Sequence, residues 1–253
     1  MAKSYNEITA QTAKQLKLIM TDVDGTLLED GDKALPSATE AIRQMEDLGI
    51  TVGLVSGRFM GKLEFMAKEL SINGPIIAEN GGLAKLHVDD GLFPLGYSGK
   101  PALKALDKLM KLFPDSIRGR WDNTNRLVDV VFFSDVLSNE ELREHIDSDI
   151  ELLDSGYIHH LMQKGITKGK TLKTILGDGQ YANLSPEEVM VLGDSPTDIS
   201  LFEMFGSSVL VRNPNLPASE TQQLRTICRY ESTLSFGEGF AQVANYIIKL
   251  RKS

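Results

Sequence analysis

Short apolar runs, each broken off by a polar cluster, alternate with amphipathic stretches through the first third of the chain. Residues 16–21 (LKLIMT) are apolar in character and stop at Asp22-Val23-Asp24-Gly25. Residues 36–49 predict a helix, with Pro36 in its first turn, Ala38, Ile42 and Met45 along one face and Gly49 closing it. A second apolar run at 50–55 stops at Ser56-Gly57-Arg58, residues 59–70 carry a helical pattern, and a third run at 75–78 enters Glu79-Asn80-Gly81-Gly82. This strand–helix rhythm predicts an α/β fold, a parallel sheet covered by helices.

The rhythm changes over residues 84–163. A helix is predicted at 101–112, then strands at 116–121 and 126–133 around the turn-forming Asp122-Asn123-Thr124-Asn125, a helix at 139–147 and an extended stretch at 157–162. Antiparallel pairing with two helices predicts an inserted α+β module. The first rhythm resumes with a helix at 169–176, a strand at 189–192, a helix at 198–205, a strand at 208–211 and a terminal helix at 240–250. The expected division is a core from residues 1–83 and 164–253 and an inserted domain from 84–163. Residues 4–15 form a polar extension that either folds as a helix with Ile8 and Leu16 on one face or frays.

Composition narrows the class. The 253 residues are 42% hydrophobic and 25% charged, with a formal net charge of −8. A surface of that sign repels phosphodiester backbones, so nucleic acid is not an expected partner. No run is long and apolar enough for a membrane span, and the first 17 residues lack a secretory apolar stretch. The single cysteine, Cys228, is expected at a strand or core edge and fits a reducing compartment, so the cytoplasm is the expected location.

The chemistry gathers where the apolar runs stop. In an open parallel sheet, ligands bind beyond the carboxyl ends of the strands. Asp22 and Asp24, Ser56, Glu79 and Asn80, and Asp194 and Asp198 all occupy such ends and are expected at one rim. Four carboxylates so placed repel unless a cation intervenes, and hard oxygen ligands select magnesium. A carboxylate beside such a metal can attack phosphorus and form an acyl-phosphate. Gly25 permits the tight turn after the two aspartates. Ser56 offers a hydroxyl and an N–H to phosphate at the start of the next helix, and Lys168 supplies a fixed positive charge.

These segments resemble the haloacid dehalogenase superfamily of phosphohydrolases. Asp22-Val23-Asp24-Gly25-Thr26-Leu27 is similar to its first motif, Val55-Ser56-Gly57-Arg58 to its second, Lys168-Gly169 to its third and Gly193-Asp194-Ser195-Pro196-Thr197-Asp198 to its fourth. The resemblance implies that Asp22 is the nucleophile and a metal ligand. It makes Asp24 the general acid and base, with its backbone carbonyl on Mg2+. Asp194 and Asp198 complete the metal site, while Ser56, Gly57 and Lys168 bind the phosphoryl group. The insertion after Asn80-Gly81-Gly82 resembles the type IIB (C2B) cap of the Cof-like, sucrose-phosphate, mannosyl-3-phosphoglycerate and archaeal phosphoglycolate phosphatase branch. Thr197 stands where that branch commonly carries Asn; it keeps a hydroxyl and loses an amide.

The implied activity is hydrolysis of a small phosphorylated metabolite, a sugar phosphate or a phospho-acid such as phosphoglycolate or mannosyl-3-phosphoglycerate. A cap of this kind reads the leaving group, and the candidates for that contact are Asn80, Arg118, Arg120, Arg126, His159 and His160. Trp121 is expected in the cap core. A phosphomannomutase-type phosphomutase and a non-catalytic sugar-phosphate sensor share the fold and stand as alternatives. Oligomeric state is not legible.

Overall fold

The computed structural model describes residues 1–156 and 158–253, so Tyr157, the expected start of one strand, lies outside the described residues. The first half holds β1 (Lys3–Ser4), α1 (Ala10–Gln15), β2 (Leu18–Thr21), α2 (Pro36–Asp47), β3 (Thr51–Val55), α3 (Met60–Glu69), β4 (Ile76–Ala78) and β5 (Leu83–Lys85). The middle holds α4 (Lys100–Leu112), β6 (Ile117–Gly119), β7 (Val130–Ser134), α5 (Asn139–Glu144), β8 (Ile150–Asp154) and β9 (His159–Gln163). The chain ends with α6 (Lys168–Ile175), β10 (Val189–Gly193), α7 (Ile199–Met204), β11 (Ser207–Arg212), α8 (Ala218–Ile227), β12 (Tyr230–Ser235) and α9 (Phe236–Lys252).

Eight strands form one sheet in the order β1-β12-β11-β10-β2-β3-β4-β5. Every pair in it is parallel except β4 with β5. Its central strands β2, β3, β4 and β10 are buried and largely apolar because both faces are covered. Ile19 of β2 joins one hydrophobic cluster with α2, α3 and α9, and its neighbours Leu18 and Met20 join a second with α6, α7 and α8. The expected α/β parallel core is therefore present.

The other four strands make a separate antiparallel sheet, β6-β7-β9-β8, with its own core of Leu106 and Leu109 from α4, Phe132, Leu142, Leu152 and Leu161. Period-2 alternation gives β9 two different faces. Leu161 enters this inner core, whereas Met162 packs with the large-sheet cluster.

Three expectations are corrected. The turn at 122–125 belongs to a 3-10 helix, Trp121–Asn125, and the flanking strands shrink to β6 and β7. Trp121 is 69% exposed and lies outside the cap core, because that helix turns it to solvent. The division at 83/84 cuts β5, which pairs back on β4 in the large sheet, and Phe93 and Leu95 still pack there. Of the two alternatives for the N-terminal extension, the folded one holds: Ile8 and Leu16 are buried, Thr9 caps α1, β1 pairs with β12, and Arg251 of α9 donates to the carbonyls of Ala13 and Lys14. Cys228 is buried at the end of α8, at the core edge where it is expected.

Candidate active site

The chain leaves β2 at Thr21 and places Asp22 against β10, its N–H donating to Leu192 O at 2.8 Å. Gly25 turns with φ +86°, and a Cβ there would meet Asp194 Oδ2 at 2.3 Å. Only glycine lets the loop after β2 approach the carboxylate after β10 so closely. Thr26 Oγ1 donates to Asp194 Oδ1 at 2.7 Å and Asn213 Nδ2 to Asp194 Oδ2 at 2.7 Å, which fixes that carboxylate from two sides.

Asp198 ends the 3-10 turn Pro196–Asp198. Its Oδ2 accepts from the backbone N–H groups of Asp194 and Ser195 at 3.0 and 3.1 Å. Lys168 opens α6, whose N-cap is Thr167. Its ammonium donates to Asp22 Oδ1 at 2.6 Å, Asp198 Oδ1 at 2.8 Å and Thr197 Oγ1 at 3.1 Å. The Thr197 hydroxyl thus supports Lys168 directly.

Asp22, Asp194 and Asp198 are all buried, and one carboxylate oxygen from each lies within 4.8 Å of the others. One buried ammonium faces these three acids. Burial, and then the Asp198, Asp194 and Asp24 charges against the pull of Lys168, raise the Asp22 carboxyl well above its ordinary value. Burial and Asp198 push Asp194 up to about 7. Burial works against the Lys168 charge, but Asp198 and Asp22 outweigh it and hold the ammonium above its ordinary value. An all-oxygen donor set with too little positive charge fits a hard divalent cation.

The expected convergence of four carboxylates is corrected to three. Asp24 has 57% of its side chain exposed and is held in a fork by Arg58, whose Nε and Nη2 reach its carboxylate at 2.9 and 2.6 Å. Arg58 also binds Asp32 and the Gly31 carbonyl, so it fastens the loop after β2 to the loop after β3. Ser56 is buried at the end of β3, but α3 begins only at Met60, so Ser56 precedes the helix rather than opening it. Its Oγ accepts from Arg58 N at 3.2 Å.

The expected leaving-group residues separate into two sets. Arg118 is exposed and pairs with Asp135, while His159 stacks on Phe132 and meets Asn139 Oδ1 at 3.1 Å. Both therefore face partners from the segment that contains the antiparallel sheet. Arg120 stands 3.2 Å from Asp122. Asn80 and His160 are buried where the two sheets meet, and Arg126 Nη1 crosses to Gly57 O at 3.0 Å. The buried carboxylate of Glu79 accepts from the backbone N–H groups of Leu127 (3.1 Å), Val128 (2.7 Å) and Asp129 (3.0 Å). Burial and the Asp129 charge push its carboxyl up to about 7 against those hydrogen bonds. Sequence reasoning missed the parts played by Thr26, Arg58, Asp129 and Asn213. Asn213 follows β11 directly, so the strand-end rule that found the aspartates reaches it too.

The sequence pattern of the haloacid dehalogenase-like hydrolases matches residues 19–111 and 104–221. The chain belongs to that family. As a haloacid dehalogenase-like hydrolase it is 28% identical over 231 residues to a phosphoglycolate phosphatase of Methanospirillum hungatei, an alignment covering 90% of this chain and 95% of the relative. It is 30% identical over 203 residues to one from Sulfolobus acidocaldarius, covering 78% and 84%. The crystal structure of Thermoplasma acidophilum 0175 superposes with a TM-score of 0.78 at 27% identity, over 93% of this chain and 99% of that one. Among the described residues, no helix is long and apolar enough to cross a membrane.

Proposed function

We propose that this hydrolase is a magnesium-dependent phosphomonoester phosphatase that forms an aspartyl-phosphate on Asp22, acting on a small phospho-acid of the phosphoglycolate kind. The observation that carries the reading is the buried set Asp22, Asp194 and Asp198 around Lys168. Relatives that align with 90% and 78% of the chain and carry the name phosphoglycolate phosphatase support the substrate class. The elements from α4 to β9 serve as the cap within the expected insertion at 84–163.

The three buried carboxylates and the Asp24 carbonyl would hold Mg2+, which supplies a Lewis acid for phosphoryl oxygens and keeps the acids ionised. Asp22 attacks phosphorus while the bond from phosphorus to the leaving oxygen breaks. Lys168, the Ser56 hydroxyl and the Gly57 N–H take up charge on the phosphoryl oxygens, the Ser56 N–H being held by the Ile77 carbonyl at 2.9 Å. Asp24, released from Arg58 and taking up a proton as the substrate binds, gives that proton to the leaving alkoxide. It then takes a proton from water, whose oxygen displaces the Asp22 carboxylate and releases phosphate. The proposal places the enzyme in the cytoplasm, a reducing setting that suits its single buried thiol.

The test is phosphate release from a panel of sugar phosphates and phospho-acids, with Mg2+ and with chelator, for native protein and Asp22→Asn. Release that needs Mg2+ and falls by about 10⁴-fold or more in the variant is the expected result. Tight binding with no release from any substrate sinks the proposal in favour of a sugar-phosphate sensor.

A further inference from the structure

The packing that brings Lys168 to the carboxylates also brings a hydroxyl to it. Gly169 lets α6 lie directly on the start of α7: its N–H donates to Ser200 Oγ at 3.0 Å, and a Cβ there would clash with the Ser200 carbonyl. The same approach sets Lys168 against the 3-10 turn Pro196–Asp198, where Thr197 meets it. At the end of β10, Gly193 leaves the room that the Asp198 carboxylate fills, since a Cβ at Gly193 would overlap it.

An ammonium has three hydrogens and no lone pair. Those of Lys168 are all spent, on Asp22 Oδ1 at 2.6 Å, Asp198 Oδ1 at 2.8 Å and Thr197 Oγ1 at 3.1 Å. Because the lysine can only donate, the Thr197 hydroxyl accepts, and its own hydrogen points elsewhere. Ser195 Oγ, 2.9 Å away, takes that hydrogen, and Ser195 donates in turn to Asp198 Oδ2 at 3.4 Å. The result is a ring that runs one way, from Lys168 to Thr197 to Ser195 to Asp198, and the Lys168–Asp198 ion pair closes it.

A phosphoryl oxygen reaches Lys168 only when one of the three bonds is given up. Two of them join opposite charges and are the shorter; the third ends on a neutral oxygen and is the longest. Thr197 is therefore the partner that yields. Its hydrogen is committed to Ser195, so it has none to offer the phosphoryl oxygen in return.

We infer that Thr197 is a positioning residue that holds the phosphoryl place on Lys168 while the site is empty, and that it thereby weakens the grip of the site on phosphate. The inference rests on the phosphatase reading and adds to it a means of product release. As phosphate leaves, the Thr197 hydroxyl retakes the ammonium hydrogen, so Lys168 is never left with a buried donor unpaired.

The experiment is calorimetric titration of inorganic phosphate, with Mg2+ present, onto native protein, Thr197→Val, Thr197→Ser and Ser195→Ala. Thermal unfolding of each shows that it is folded. Valine keeps the shape and removes the competing oxygen, so the third ammonium hydrogen has no acceptor until phosphate arrives. Phosphate should bind Thr197→Val about 5- to 30-fold more tightly than native protein. Thr197→Ser, which restores the oxygen, should lie within about 3-fold of native. Ser195→Ala removes the acceptor that orients Thr197 and should tighten phosphate by about 2- to 5-fold. A purely structural role for Thr197 predicts the opposite sign, because a loosened Lys168 would hold phosphate less well. Equal or weaker binding by Thr197→Val therefore overturns the inference and leaves the phosphatase proposal standing, as does a Thr197→Ser that behaves like Thr197→Val. If Thr197→Val does not fold, Ser195→Ala decides by the same signs. Absence of phosphate binding to native protein and variants alike also overturns the inference, since Lys168 then receives no phosphoryl group. The phosphatase proposal is judged separately, by release from the panel of sugar phosphates and phospho-acids.

Discussion

At the rim of the large sheet, Asp22, Asp194 and Asp198 cluster beside one buried ammonium, which binds Asp22 and Asp198. At the junction with the antiparallel sheet, Asp129 meets both Arg126 and His160, and Glu79 spends its carboxylate on three backbone N–H groups. Both regions bury acids, yet their charges are settled differently. The rim is short of positive charge, and two of its carboxyls are pushed toward the neutral form. The junction answers its own Asp129, which stays ionised. The rim, where the proposal puts a cation, is under-compensated by the fold, whereas Asp129 at the junction is matched by its own partners, although Glu79 beside it is also pushed up to about 7.

The contrast breaks most visibly at Lys168. Replacing it with Met removes the ammonium that binds Asp22 and Asp198 and should cost about 3–5 kcal/mol in metal-free protein, the usual penalty for orphaning a buried charge partner. Urea unfolding measures this, and saturating Mg2+ should restore part of the loss. A variant as stable as native would mean that the rim is already balanced.

Titration sharpens the same point. Asp194 holds its proton up to about 7 in the folded protein, against an ordinary value of 3.8. Over that window the folded state binds more protons than the unfolded one, so metal-free stability should fall as pH rises. Added Mg2+ should flatten or reverse the slope, because it favours the ionised carboxylates. Thermal unfolding between those pH values, with Mg2+ or with chelator, gives the answer.

The junction is tested by Glu79→Gln, which keeps the shape and loses the charge that three N–H groups share. The expected loss is about 1.5–3 kcal/mol, with faster amide exchange at Val128 and Asp129, and neither change should respond to Mg2+. Trp121→Ala should be the mildest, within about 0.5 kcal/mol, because that ring is 69% exposed.

Much of the rim was legible because its residues follow apolar runs, and a parallel sheet brings all such ends to one edge. The exception was Asp24, whose carboxylate turned away because Arg58, read only as part of a phosphate motif, forms a fork with it. The junction was harder. Glu79 reaches Val128 across 49 positions and Asn80 reaches His160 across 80, and no local periodicity encodes pairings of that length. Choosing between His159 and His160 required knowing which face of β9 looks inward; Leu161 and Met162, which join different clusters, hold that information. Helix α8 escaped notice because Leu224 is its one buried residue, so it has no apolar stripe to read.

The strand order has a consequence for how the chain is made. The central strand β2 lies between β3 and β10, and the Thr26–Asp194 contact that closes the rim joins residues 168 positions apart. At ribosomal speeds of about 5–20 residues per second, that spacing corresponds to roughly 8–34 s of synthesis. During that interval β2, β3 and β4 have emerged with one apolar edge unpaired, while the antiparallel sheet, whose strands all lie within the intervening segment, can complete itself. The small sheet can thus be finished before the large one, and the edge of β2 is the surface a chaperone would need to guard.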